Sequence, residues 1–109
     1  MTDADAGEAM SFDYLETFAA GDMRVVTEVL NLYREQALKW DAALDPPGAG
    51  WRDVVHTIKG ASRGVGAVKL GAICEQAEKE GEAAIPAVRR CLAATLAAVE
   101  GYLTRIGGG

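Results

Sequence analysis

The chain has 109 residues, half of them apolar and few aromatic, and a formal net charge of −5. This length allows one domain with a single core, and the negative charge argues against a protein that binds nucleic acid or an anionic membrane surface. Because no convincing run of alternating apolar and polar residues is present, the composition favours an all-α fold.

The cysteines and the N-terminus bear on the cellular compartment. Cys74 and Cys91 are isolated and form no C-x-x-C motif, and Cys74 lies in an apolar repeat, which favours a buried, reduced thiol. The N-terminal ten residues are acidic and lack the apolar stretch of a signal peptide, and no apolar run is long enough to span a bilayer. These features predict a cytoplasmic protein.

Residues 1–10 are predicted to be a flexible lead-in to a domain that spans residues 11–106. Ser11 can cap a short helix that runs to about residue 20. Its inward face is predicted to consist of Phe12, Leu15, Phe18 and Ala19. Gly21 ends this helix and Asp22 caps the next, which runs from residue 23 to residue 44. The apolar stripe of this second helix is predicted to be core: Val26, Val29, Leu30, Tyr33, Ala37, Trp40 and Leu44.

A segment rich in proline and glycine, residues 45–50, separates the second helix from three more. They are predicted over residues 51–65, 67–79 and from about 85 to 106, with a tight turn at Gly66, a C-terminal glycine at Gly81 and Pro86 in a first turn. Residues 107–109 are predicted to be a flexible tail. Four long amphipathic helices with short connections predict an antiparallel four-helix bundle, with the short first helix across one end.

His56 is the chain's only histidine, and helical geometry places it on the surface of the third helix. At about 100° per residue, the arc that this helix would bury consists of Val54, Ile58, Ala61 and Val65, flanked by Trp51, Val55 and Ser62. His56 lies almost opposite the centre of that arc. Its neighbours at helical spacing are Arg52, Lys59, Gly60 and Arg63. The pattern indicates an imidazole that is accessible to another molecule and flanked by cations.

Three glycines lie near the end of this helix: Gly60, Gly64 and Gly66. An interior glycine costs a helix about 0.5–1 kcal/mol relative to alanine. Gly60 points away from the apolar arc, so its cost indicates selection for the close approach of a partner. For Gly64 and Gly66, packing between helices through small residues is the alternative interpretation.

Residues 51–70 concentrate positive charge on an acidic protein. Four cations, Arg52, Lys59, Arg63 and Lys69, stand against Asp53 alone, so the segment carries +3 and the rest of the chain −8. Such a patch suits an acidic partner. The alternative is that these cations form an ordinary solvated helix face. If charge is considered alone, this alternative is favoured.

Other chemistry finds no support in the residue pattern. No feature indicates a catalytic triad or dyad, in which a nucleophile, a base and an orienting group are in contact. A single histidine, without clustered cysteines or a second histidine, does not supply a metal site. There is no phosphate-binding glycine loop of the nucleotide-binding type.

Seven residues around the histidine form the motif H-x-x-K-G-x-S-x-x-x-G-A-x-x-L: His56, Lys59, Gly60, Ser62, Gly66, Ala67 and Leu70. This motif resembles the signature of histidine phosphotransfer (HPt) domains, the helical carriers of bacterial two-component phosphorelays. Gly21-Asp22 and residues 75–78 extend the likeness to roughly residues 12–105. The resemblance implies the same four-helix bundle, and a phosphocarrier without catalytic activity of its own.

The resemblance also implies the partners. His56 would accept a phosphoryl group from a receiver-domain aspartate of a hybrid histidine kinase and pass it to a response regulator. The receivers would bring their own Mg²⁺, so this chain would need no cofactor or metal. The chain is also predicted to be a monomer. Lys59 is predicted to give electrostatic support, and the receiver is predicted to dock on Arg52, Gly60, Arg63 and Gly64. Ser62 is predicted to be structural and to bond a carbonyl one turn earlier.

Two other functions remain open from the sequence. The bundle could bind receiver or kinase domains as an adaptor, with His56 incidental. It could also be the phosphoacceptor domain of a chemotaxis-type kinase, although the sequence contains no dimerisation or ATP-binding segment.

Overall fold

A computed structural model describes residues 10–107, which form five α-helices and no strand. The helices are α1 (Phe12–Phe18), α2 (Met23–Ala43), α3 (Trp51–Gly64), α4 (Val68–Glu80) and α5 (Ile85–Arg105), with a short 3₁₀ turn at Glu82–Ala84 before α5. Helices α2 and α4 each pack against both α3 and α5, so the four long helices enclose one core. The predicted all-α, four-helix bundle is confirmed.

The core follows from the apolar stripes of the four long helices. Its large, fully buried side chains include Leu30, Leu44, Ile58, Leu70, Leu92 and Leu103. Cys74 is buried and unpaired, as predicted, and Cys91 is buried and unpaired as well. Within residues 10–107, no helix combines the length and apolarity that a bilayer crossing requires.

Helix α1 lies across one end of the bundle, where α3, α4 and α5 meet. The ring of Phe12 stacks on that of Tyr102 in α5, with centroids 4.1 Å apart, and the Tyr102 hydroxyl donates to Glu16. The backbone N–H of Ser11 donates to the carbonyl of Gly66, at 3.0 Å. Gly66 has a φ of +92°, and a Cβ there would lie 2.6 Å from the carbonyl oxygen of Ser11, so glycine is required at this turn.

The start of the chain corrects two sequence predictions, the cap at Ser11 and the inward position of Phe18. Helix α1 ends at Phe18, within two residues of the predicted end, and the Ser11 side chain makes no capping hydrogen bond. The backbone N–H of Ser11 donates to Gly66. Phe18 is 74% exposed, since a two-turn helix across the bundle end buries only one narrow stripe, centred on Leu15. Met10, the last residue of the predicted lead-in, is buried. The rest of that lead-in and the last two residues lie outside the described residues.

The junction between α1 and α2 follows the prediction. Gly21 adopts a φ of +80°, and the Asp22 side chain accepts a hydrogen bond from the backbone N–H of Arg24 at 3.0 Å. This bond satisfies a donor that the first turn of α2 would otherwise leave unpaired.

Ser62 is buried, as predicted, but its hydrogen bond differs from the prediction. Its Oγ lies 2.8 Å from the hydroxyl of Tyr33 on α2, and no bond to a carbonyl one turn earlier is present. The pair joins α2 to α3 inside the core. Burial raises the pKa of Tyr33 to about 12, so the phenol stays protonated and can donate.

Ser62→Ala is expected to lower the free energy of unfolding by about 1–3 kcal/mol, because it leaves the buried Tyr33 hydroxyl without a partner. Denaturant unfolding measures this loss. The double variant with Tyr33→Phe should cost less than the sum of the two single changes. Additive costs would show that the two hydroxyls do not stabilise each other.

Candidate functional site

The buried face of α3 is rotated relative to the sequence prediction. Its buried residues are Trp51, Val55, Ile58 and Ser62, whereas Val54 and Ala61 are only partly buried. On a helical wheel this shifts the buried centre by about 60°. Val65, just after the end of α3, is buried as predicted, whereas Ala61 borders an open apolar groove that α3 forms with α2.

The rotation leaves His56 exposed and moves Lys59 towards the core. The His56 side chain is 68% exposed, and that of Lys59 is only 18% exposed. Lys59 therefore lies at the seam between α3 and α4, while the imidazole stands on the outer surface beside that seam.

A carboxylate on α4 contacts both residues. Glu78 Oε2 lies 2.9 Å from His56 Nδ1, and Lys59 Nζ donates to Glu78 Oε1 at 2.6 Å. Sequence reasoning did not assign Glu78 to the site. The signal that could have found it is its position, because His56 and Glu78 lie at similar distances along the chain on either side of the Gly66 turn, and antiparallel helices bring such residues together.

The ionisation of Glu78 determines which imidazole nitrogen is available. The hydrogen bond from Lys59 lowers the pKa of the Glu78 carboxyl below its ordinary value. Glu78 is therefore an acceptor at neutral pH, and His56 Nδ1 must carry the proton that it donates. In the neutral ring, this leaves the lone pair of Nε2 unused and facing away from Glu78.

The predicted excess of positive charge on α3 is largely compensated by α4. Arg63 donates to Glu75 at 2.5 Å, and this contact lowers the pKa of the Glu75 carboxyl. Lys59 is neutralised by Glu78 in the same way. Counting charge along residues 51–70 missed these partners because they lie on the next helix. The +3 counted along residues 51–70 therefore overstates the positive charge of this surface, because two of its cations pair with carboxylates of α4.

Arg52 is the exception among the cations of α3. Its guanidinium carbon lies 4.6 Å from the centroid of the Trp51 ring, and its Nη2 donates to the backbone carbonyl of Glu78 over a long 3.4 Å. Within residues 10–107 it has no carboxylate at ion-pair distance.

The predicted docking glycines lie on the open side of α3. A Cβ built at Gly60 or at Gly64 would meet no atom within 4 Å beyond its own helix. Interhelical packing is therefore wrong as the explanation of Gly64. The position four residues after His56 therefore carries no side chain on the open side of α3.

Residues 10–107 contain no cluster of three or more His, Cys, Asp or Glu side chains arranged to hold a metal ion. The site consists of one exposed imidazole, a carboxylate that holds its Nδ1, a half-buried ammonium and a glycine-lined approach. This arrangement defines a helical bundle that presents a single histidine side chain to solvent.

Comparisons with known proteins give the family. The family model described as Hpt domain matches residues 34–102. A crystal structure of the histidine phosphotransferase ShpA from Caulobacter crescentus superimposes with a TM-score of 0.82 and 48% sequence identity, covering 91% of this chain and 94% of that one. Among curated proteins, no sequence matches.

The chain belongs to the Hpt domain family. Its role is therefore that of a histidine phosphotransfer domain in a phosphorelay, a family whose members are phosphocarriers that interact with receiver domains of two-component systems.

Proposed function

We propose that His56 accepts a phosphoryl group from the receiver aspartate of a hybrid histidine kinase and passes it to the receiver aspartate of a response regulator. The observation that carries this proposal is the exposed imidazole whose Nδ1 is held by Glu78 at 2.9 Å, because it presents Nε2 to an incoming protein.

The transfer reaction requires mainly an accessible Nε2 lone pair. The Nε2 lone pair attacks phosphorus, the Nε2–P bond forms, and the bond between phosphorus and the aspartate oxygen breaks with its electron pair remaining on the carboxylate. The ring becomes positively charged as it loses that lone pair, and the Glu78 carboxylate at Nδ1 stabilises this charge. Transfer to the second receiver runs the same steps in reverse.

Lys59 supports the site in two ways. Its ammonium holds Glu78 in position at 2.6 Å, and it adds positive charge within one turn of the phosphoryl group. The Mg²⁺ that phosphoryl transfer requires belongs to the receiver, so this chain supplies no cofactor. Gly60 and Gly64 leave room for the receiver to approach the ring, with Arg52 and Arg63 at the rim.

A transfer time course tests this proposal. A radiolabelled, phosphorylated receiver is mixed with the protein, and a second, unlabelled receiver is added later. Label should appear on this chain and then leave it for the second receiver. An adaptor would bind the receivers without acquiring label, and a kinase phosphoacceptor domain would acquire label from an ATP-bound kinase domain but not from a receiver.

Glu78→Gln is expected to slow transfer on the order of 10-fold, similar to the loss of a partner that orients a metal-bound histidine. The amide can still accept from Nδ1, but it no longer stabilises the charged ring. The effect is measured as the single-turnover rate at neutral pH. Because the pKa of the Glu78 carboxyl is lowered, Glu78 is ionised in the wild type at this pH, and the variant differs from it by one negative charge.

Glu75→Gln is the matched control, since Glu75 lies on the same face of α4 and pairs with Arg63 without contacting the imidazole. It should transfer at close to the wild-type rate. Equal losses in the two variants would mean that Glu78 acts through the overall surface charge and not through Nδ1.

A further inference from the structure

The cations next to the imidazole differ in whether they already form an ion pair. Lys59 is bound to Glu78 and Arg63 to Glu75, so each of these cations already has a carboxylate at 2.6 Å or less. A phosphoryl group on Nε2 adds about two negative charges to this surface. Among residues 10–107, Arg52 is the cation of α3 that can meet them without first giving up an ion pair.

Two contacts keep Arg52 near the histidine. Its guanidinium lies against Trp51, a ring that is itself buried, and its Nη2 reaches the carbonyl of Glu78, the residue whose side chain holds His56. Arg52 is also one turn before His56 on α3, and helical side chains lean towards the N-terminus of their helix. The imidazole therefore leans over the turn that carries Arg52.

We propose that Arg52 is the residue that contacts the phosphoryl oxygens of phosphorylated His56. This inference rests on the proposed function and adds to it the group that binds the transferred phosphate. A guanidinium has five N–H donors in a planar fork that matches two oxygens of a phosphoryl group. Within the described part of the chain, one of these donors is used, in a long hydrogen bond of 3.4 Å.

The test uses phosphoramidate, a small donor that phosphorylates histidine without a partner protein. The P–N bond of the N-protonated donor breaks, ammonia leaves with the electron pair of that bond, and the Nε2–P bond forms while Nδ1 keeps its proton. ³¹P NMR then follows the pH titration of the phosphoryl group in the wild type, Arg52→Gln and Arg52→Lys. Arg24→Gln is the control with the same change of charge, since Arg24 lies at the exposed start of α2 and pairs only with Asp22.

A nearby cation lowers the midpoint of the phosphoryl titration. Arg52→Gln should therefore raise that midpoint on the order of 0.5 pH units, Arg52→Lys should raise it less, and Arg24→Gln should leave it unchanged. Single-turnover transfer to a saturating receiver should fall on the order of 10-fold in Arg52→Gln, the factor that one charge-assisted hydrogen bond supplies.

Equal midpoints in the wild type and Arg52→Gln would overturn the inference. So would a variant that needs more receiver for half-maximal transfer but reaches the wild-type maximum, because Arg52 would then act only in docking. Loading by phosphoramidate does not depend on a receiver, so failure of the wild type to accept phosphate from any receiver would contradict the proposed function and leave the titration as a separate test of Arg52.

Discussion

His56→Gln is expected to abolish phosphorylation while leaving the fold intact. The substitution removes the only imidazole of the chain, and the remaining residues of the site cannot replace it, because Lys59 is held by Glu78 and half buried. The His56 side chain is 68% exposed and adds nothing to the core. The free energy of unfolding should therefore change by less than about 0.5 kcal/mol.

Labelling and thermal unfolding measured on the same samples check both parts of this expectation. Label on the wild type should be lost in acid and survive alkali, because phosphohistidine is acid-labile. Label that persists in His56→Gln, or that withstands acid on the wild type, would place the phosphate on another residue. A large loss of stability in the variant would give the imidazole a structural role.

Gly60→Gln is expected to reduce phosphoryl transfer on the order of 10²-fold in a protein of equal or greater stability. The new side chain would project from the turn after His56, where a receiver must bring its aspartate within bonding distance of Nε2. A displacement of about 1 Å can cost this factor in a positioned reaction. Stability should rise by up to about 1 kcal/mol, because Gly60 is in a helix interior and a Cβ there meets no atom within 4 Å.

Gly101 offers a matched control for this substitution. It is an interior glycine of α5, and a Cβ there would meet only the flexible end of Arg105, at 3.6 Å. Gly101→Gln should therefore change stability in a similar way and transfer normally. If Gly60→Gln also transferred normally, Gly60 would not be clearing space for a partner. If phosphoramidate loaded Gly60→Gln poorly, the defect would lie at the imidazole and not in docking.

The sequence predicts those features that depend on a single helix. The bounds of α3 agree to within one residue, and both the exposure of His56 and the outward position of Gly60 follow from the periodicity of that helix. The turn at Gly66 was also predicted, because glycine is favoured where φ is positive.

Features that depend on two helices were missed. The contact of Glu78 with His56 and Lys59, the pairing of Arg63 with Glu75 and the bond between Tyr33 and Ser62 each join different helices. Apolar periodicity predicts which face of a helix is buried, but it does not predict the axial register between that helix and its neighbour. The centre of the buried face of α3 was predicted wrongly for a related reason, since Val54 and Ala61 are apolar but only partly buried, and Ala61 borders a groove with α2.

The most direct test of the central claim is the position of the phosphate on the imidazole. The protein is phosphorylated by transfer from a phosphorylated receiver, and NMR of the ¹⁵N-labelled product identifies which nitrogen is bonded to phosphorus. We expect a single phosphohistidine, at His56, with phosphorus on Nε2 and a proton on Nδ1, because Glu78 holds Nδ1 at 2.9 Å. Phosphorus on Nδ1, or on any residue other than His56, would contradict this account.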